Sequence, residues 1–274
     1  MIQDIYPSRY YNEYRPEAAS AASSPVLCFD ADKVFLKEDS DGSLSIPKAS
    51  DTEGSLTYAF AIDGTEYFLL REVPQDTSDL KAFNIRKLRR SGKLTGTEMF
   101  AVFTAYHLAV WYRNTKFCGR CNAPLEHHKT MRAMVCPSCG LEVFPRLNPA
   151  VIVGVRNEGK LLVTKYNRPD ADFYALVAGF VEIGETLEDA CRREVMEEAG
   201  LEIKNIRYYK SQPWGIAGDI LCGFFCELAG SDEIRMDTGE LKVAQWVTPD
   251  ETVLQPDDFS LTCEMMRMFK EGKV

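Results

Sequence analysis

Short apolar runs rich in aromatic and β-branched residues occupy 26–30, 33–37, 43–47, 55–62 and 66–70, and they predict strands through the first quarter of the chain. Asp63-Gly64 between the last two is a hairpin signal. Residues 1–24 read as a loosely held terminus, and the basic run 81–93 as a solvated stretch with a short helix at 82–90. The period then changes. Phe100, Phe103, Tyr106, His107, Val110 and Trp111 recur at 3.6 residues, which predicts a helix over 97–116 with His107 packed in it. After a short hinge at 145–149, runs at 150–155 and 160–166 predict a hairpin around Asn157-Glu158-Gly159, and 173–181 a further strand. Strands are expected at 206–214, 220–228 and 243–247, and a closing helix at 261–270.

Carboxylate is most concentrated at 179–201, GFVEIGETLEDACRREVMEEAGL, which holds seven acidic residues. Glu185 and Thr186 stand where a helix would begin, Gly200 stands just past its end, and 187–199 contains neither Gly nor Pro. At about 100° per residue, Glu194, Glu197 and Glu198 share one arc, and Cys191, Val195 and Ala199 share the adjoining one. One face is acidic and the other packs. Carboxylates held side by side repel, so this face is expected to hold a cation. Mg²⁺ suits it, because hard cations take oxygen ligands and keep positions for water and phosphate.

Composition narrows the classes. Hydrophobic residues are 45% of 274, enough for a core in each of two modest domains. No stretch reaches the roughly 18–20 apolar residues of a membrane span, and the mixed-charge start is unlike a signal peptide, so the expectation is a cytoplasmic protein without a membrane partner. A net charge of −9 and a pI near 5.0 argue against general binding to nucleic acid or anionic lipid.

Nine cysteines do not read as a disulfide set. Cys118, Cys121, Cys136 and Cys139 form two Cys-x-x-Cys knuckles whose four thiolates suit one tetrahedral Zn²⁺. Four sulfur ligands complete the shell, so this metal is expected to hold a fold. His127 and His128 between the knuckles read as exposed loop residues. Cys28, Cys191, Cys222, Cys226 and Cys263 are expected to be reduced and mostly buried.

The spacing of Gly179, Glu185, Arg193-Glu194-Val195, Glu197-Glu198 and Gly200-Leu201 matches every position of the Nudix hydrolase signature, and over these 23 residues the chain resembles that superfamily. Ser211-Gln212-Pro213-Trp214, behind a four-cysteine ribbon, resembles the NADH pyrophosphatase family within it, a likeness that covers nearly the whole chain. The resemblance implies an α+β protein: an N-terminal α+β domain (1–116), a zinc ribbon (117–145) and a Nudix α/β/α sandwich with a mixed sheet (146–274), often as a homodimer. It also implies a metal-dependent enzyme that splits the diphosphate of NADH or NAD to NMN(H) and AMP and can remove NAD caps from RNA.

Carried over by matched position, Glu194, Glu198, Glu240 and the backbone carbonyl of Ala178 would hold two to three Mg²⁺ or Mn²⁺ ions. Glu197 would orient or deprotonate the attacking water, and Arg193 would fix the catalytic helix through an ion pair. Phe180 would stack on a base or nicotinamide ring. Gln212, Pro213, Trp214, Gly215, Ile216, Ala217, Gly218 and Asp219 would line the dinucleotide, Lys48 and Arg86 would reach its phosphates, and Thr262 would stand near the adenosine.

The chain departs from the family at Gly215-Ile216-Ala217-Gly218-Asp219, which replaces a Pro-Phe-Pro and a small polar pair and is expected to be flexible and smaller. Phe144 stands where Tyr is common and Thr262 where Ala is. The metal chemistry is untouched by these changes, but ring recognition is left open. ADP-ribose or a dinucleoside polyphosphate is the alternative substrate, and a non-catalytic nucleotide-sensing or RNA-binding module is the alternative of another class. The intact set of Arg193, Glu194, Glu197 and Glu198 weighs against the latter.

Overall fold

The computed structural model describes residues 1–73, 79–168 and 172–274. These fall into two compact units, one of Gln3–Arg146 with Gly215–Gly218, the other of Met1–Ile2, Leu147–Trp214 and Asp219–Val274. Among the described residues no helix is long and apolar enough to cross a membrane.

The N-terminal unit contains a seven-stranded sheet of β1 (Tyr10–Tyr11), β2 (Val26–Asp30), β3 (Lys33–Glu38), β4 (Leu44–Ser45), β5 (Leu56–Ile62), β6 (Thr65–Leu70) and β7 (Lys81–Asn84). Its order is β1-β5-β6-β2-β3-β4, with β7 paired to β3. Asp63 and Gly64 close the β5–β6 hairpin as expected, both with positive φ. Val26, Cys28, Phe35, Tyr58, Phe68 and Leu70 form the core on one face. Each large apolar side chain so buried contributes roughly 1.5–3 kcal/mol.

Two expectations change here. The basic run begins as strand β7, and α1 (Ile85–Arg89) is helical only from Ile85. The first 24 residues are tied down rather than loose: β1 pairs with β5, and Tyr10 packs 5.5 Å from the Phe60 ring and 5.1 Å from that of Phe100. Aromatic rings with a sheet face to cover are held by it. Phe100 belongs to α2 (Gly96–Asn114), whose start is fixed by a reciprocal cap between Thr95 and Glu98.

The ribbon adds three two-residue strands, β8 (Glu126–His127), β9 (Met134–Val135) and β10 (Glu142–Val143), in the order β10-β9-β8. Its histidines are half-buried rather than exposed. His127 lies 3.0 Å from Arg71 Nη1 and against the Tyr112 ring, and His128 Nδ1 accepts from the backbone of Thr130 and Met131. A short ribbon has little apolar surface, so its imidazoles are drawn in as packing and turn-bracing groups.

The second unit is a mixed sheet between two helices. Its elements are β11 (Asn148–Asn157), β12 (Lys160–Tyr166), β13 (Val177–Phe180), α3 (Leu187–Ala199), β14 (Glu202–Trp214), β15 (Asp219–Ala229), β16 (Leu241–Val247) and α4 (Leu261–Lys270). The order is β14-β15-β11-β12-β16, with β13 paired to β11 and β11 parallel to β15. Alternation along β11 builds the three layers: Val151, Val153 and Val155 pack with the α3 residues Ala190, Cys191, Val195 and Ala199, while Ile152 packs with Leu261, Met265, Met266 and Phe269 of α4.

The 215–219 segment is not the loose stretch expected. Gly215 and Ile216 are buried, and a Cβ on Gly215 would come within 2.2 Å of the Phe103 carbonyl oxygen. Glycine is there for close approach to a backbone rather than for mobility.

Candidate active site

α3 carries the acidic residues and is bounded where its sequence signals stand. The Thr186 side chain accepts from the Asp189 amide, and Gly200 ends the helix at φ +68°. With Cys191, Val195 and Ala199 locked into the core, the acidic arc is split by depth. Glu194 and Glu198 are 9% and 2% exposed, whereas Glu197 faces solvent.

Glu194 is seated against the backbone of β13. A Cβ on Gly179 would lie 1.9 Å from the Glu194 carboxyl carbon and from its Oε1, so only glycine leaves room for this carboxylate. Gly179→Ala is therefore expected to displace Glu194, lowering stability by about 1–3 kcal/mol and kcat on the order of 10²-fold. Thermal melts and steady-state rates of the variant check both.

Arg193 braces the cluster with all five of its N–H groups. Nε and Nη2 grip the two oxygens of Glu185 at 2.8 and 2.9 Å, Nη1 reaches Glu194 at 2.7 Å and Glu197 at 3.0 Å, and Nη2 also donates to the Phe180 carbonyl at 2.8 Å. The hydrogen bonds from Arg193, helped by the Glu182 amide, pull the Glu185 carboxyl down to about 2. Arg193 is thus ion-paired with Glu185, Glu194 and Glu197 together.

Glu198 is the electrostatically strained group. Its Oε2 is buried and has no hydrogen-bond partner, and burial raises its carboxyl to about 8, aided by the neighbouring Glu194 and Glu240 charges and opposed by the Ala178 amide and the Tyr166 hydroxyl. Glu194 is raised as well, chiefly by burial, against the pull of Arg193. Tyr166 Oη donates to the Ala178 carbonyl at 3.4 Å, and the Asn167 amide donates to the Glu240 carbonyl at 2.7 Å. β13, α3, the end of β12 and the turn before β16 therefore converge on one oxygen-rich spot. Carboxylates with an orphaned oxygen beside a main-chain carbonyl fit a hard divalent cation. Tyr166 was not foreseen, because a tyrosine closing a strand carries no signal of its own.

Phe180 is exposed at the end of β13. Gln212 is fully buried, its Nε2 donating to the Phe259 carbonyl and its Oε1 accepting from the Leu261 amide, both at 2.7 Å, so that it ties β14 to the start of α4. Pro213 is exposed and Trp214 half-buried, paired with Ile220 and Asp219 across the β14–β15 hairpin. Asp219 is buried and accepts from Asn148 Nδ2 at 3.3 Å. Thr262 is half-buried in the first turn of α4. Gly215, Ile216, Ala217 and Gly218 group with the N-terminal unit, as do the exposed Lys48 and Arg86.

The four ribbon cysteines form a cluster that could hold a metal ion. Their ligand atoms lie within 4.8 Å of one another, with Cys118 and Cys139 sulfurs 3.6 Å apart and Cys121 and Cys136 sulfurs 3.4 Å apart. Tetrahedral zinc–thiolate bonds of ~2.3 Å set neighbouring sulfurs roughly 3.8 Å apart, so the set fits structural zinc. The two knuckles repeat one backbone design. Asn122 and Gly140, each with positive φ, donate back to the Cys118 and Cys136 carbonyls at 2.8 and 3.0 Å. The other five cysteines are buried free thiols, as expected.

Residues 146–265 match the NUDIX domain, and residues 113–144 match the NADH pyrophosphatase zinc ribbon domain. The NAD-capped RNA hydrolase NudC of Salmonella heidelberg (strain SL476) is 42% identical over 149 residues, 54% of this chain and 58% of that protein. The protein of the same name from Salmonella paratyphi C (strain RKS4594) matches to the same extent. The aligned region thus spans 58% of the length of these curated relatives. A NUDIX hydrolase of known structure from Nitrosomonas europaea aligns with a TM-score of 0.49 at 23% identity, over 57% of this chain and 91% of that one.

Proposed function

We propose that this chain, which carries a Nudix domain behind an NADH pyrophosphatase zinc ribbon, hydrolyses the diphosphate bond of NADH and NAD to NMN(H) and AMP and removes NAD caps from RNA. The observation that supports this most is Glu198, a carboxylate buried beside a second one with an oxygen left unpaired. A divalent cation completes such a group. The names of the Salmonella relatives support the choice of substrate.

Mg²⁺ or Mn²⁺ held by Glu194, Glu198, Glu240 and the Ala178 carbonyl would supply charge neutralisation of the diphosphate and a lowered pKa for the attacking water. Glu197, exposed and held by Arg193 Nη1, accepts the proton from that water. Arg193 keeps Glu194, Glu197 and the backbone of Phe180 in register, so the proton acceptor and the ring-stacking residue hang on one guanidinium. Phe180 offers its open ring face to a base or nicotinamide. Attack at one phosphorus breaks the bridging P–O bond and leaves two phosphomonoesters. With NAD-capped RNA the same cut leaves a 5′-monophosphate end. The family resemblance adds a homodimer to this reading, beside the cytoplasmic location expected from the sequence, and light scattering against the 30.9 kDa chain checks the oligomer.

The test is chromatography of products after incubation with Mn²⁺ and, in parallel, NADH, NAD, ADP-ribose and diadenosine polyphosphates. NMNH and AMP from NADH are expected as the fastest reaction. Faster cleavage of ADP-ribose or a diadenosine compound would overturn the substrate and keep the hydrolysis, and no phosphomonoester from any of them would overturn both.

A further inference from the structure

Arg193, Lys165 and Lys242 each meet a carboxylate. Arg193 donates to Glu185, Glu194 and Glu197. Lys165 lies 3.6 Å from Asp172 and 4.6 Å from the Tyr174 ring centroid, and Lys242 lies 3.2 Å from the same Asp172 carboxylate. Arg168 differs. Among the described residues its guanidinium meets a ring and no carboxylate, resting 5.0 Å from the centroid of Tyr166.

That ring marks the site. Tyr166 Oη donates to the carbonyl oxygen of Ala178, and the residue between it and Arg168, Asn167, donates its amide to the Glu240 carbonyl at 2.7 Å. Arg168 is therefore an exposed cation at the rim of the carboxylate cluster, next to the turn that bears Glu240. A diphosphate approaching such a cluster is repelled by it, and a guanidinium already neutralised by a carboxylate would not offset that repulsion. Contact with a ring face orients the guanidinium while leaving its N–H fork free for an anion.

We propose that Arg168 is a phosphate-binding residue of this site, donating its N–H fork to non-bridging oxygens of the substrate diphosphate from the Glu240 side. The proposal rests on the diphosphatase reading above, and it adds a residue that neither the signature nor the ribbon contains. The fork suits two phosphate oxygens at once, whereas a lysine there offers a point charge.

The test is calorimetric titration of ADP, AMP and adenosine into the full chain with Mg²⁺, for the wild type, Arg168→Ala and Arg168→Lys, together with steady-state rates on NADH. Arg168→Ala is expected to weaken ADP binding about tenfold or more, to weaken AMP less and to leave adenosine unchanged, with a raised KM for NADH. Arg168→Lys should recover part of the ADP affinity. Equal ADP affinity in wild type and Arg168→Ala overturns the proposal, as does an equal loss for all three ligands or a wild type that prefers adenosine to ADP. If no dinucleotide is hydrolysed but the phosphate-graded loss is seen, the diphosphatase reading falls and the anion site stands. If NADH is hydrolysed and ADP binding is indifferent to Arg168, only this proposal falls.

Discussion

Glu198→Gln is expected to lower turnover of NADH by on the order of 10³-fold or more while making the metal-free protein more stable at alkaline pH. The two effects have one cause. Glutamine keeps the shape of the side chain but removes the charge that a divalent cation needs and that the unliganded fold tolerates poorly. The folded-state value near 8 lies above the 4.5 of a free carboxyl. A raised group favours the fold fully below its unfolded value, and that contribution is lost as pH rises through the folded value. In EDTA the wild type should therefore lose stability between pH 4.5 and about pH 8, by on the order of 5 kcal/mol, and the Gln variant should not lose this part. Denaturant melts of both proteins at pH 5 and pH 9 measure it. Parallel pH profiles, or a variant with wild-type turnover, would remove Glu198 from the role given to it.

Loss of the ribbon zinc, by Cys136→Ser or by stripping the metal, is expected to unfold residues 117–144. Three strands of two residues and a few buried groups, Cys118, Ala133, Met134 and Cys136, cannot close a core without a metal. Structural zinc in comparable small modules supplies roughly 10–16 kcal/mol of binding free energy, which is also their folding free energy. The wild type should carry one zinc per chain by elemental analysis, and Cys136→Ser should carry almost none and be cut by protease within the ribbon. Because four thiolates leave no open position, added Mn²⁺ should not restore the ribbon. Intact amide protection across 117–144 without zinc would contradict this account.

What was legible in the sequence is what is decided locally. The ends of α3 coincide with Thr186 and Gly200 because a cap and a left-handed stop act within one turn, and the Asp63-Gly64 hairpin closed for the same reason. The zinc centre was legible because two Cys-x-x-Cys knuckles carry their own geometry. The rest depends on approach through space. Glu194 and Glu197 share one helical arc, yet one is buried and the other exposed, because Gly179 on a different element opens a seat for only the first. Gly215 reads as slack in the chain and is in truth a site of close packing against the Phe103 carbonyl. Gln212 sits in a motif that the resemblance assigns to the dinucleotide, while its amide is used to fasten α4. The first 24 residues lack periodicity, so nothing in them showed that Tyr10 would be gripped by Phe60 and Phe100.

If the buried carboxylate pair seats a divalent cation on which hydrolysis depends, a titration of metal-free protein with Mn²⁺ that follows bound metal and the release of NMNH and AMP from NADH in the same samples will show it. Turnover should rise in step with occupancy and return to background in EDTA, and both curves should collapse together in Glu198→Gln. Hydrolysis that proceeds without bound Mn²⁺, or Mn²⁺ affinity that Glu198→Gln leaves unchanged, would contradict it.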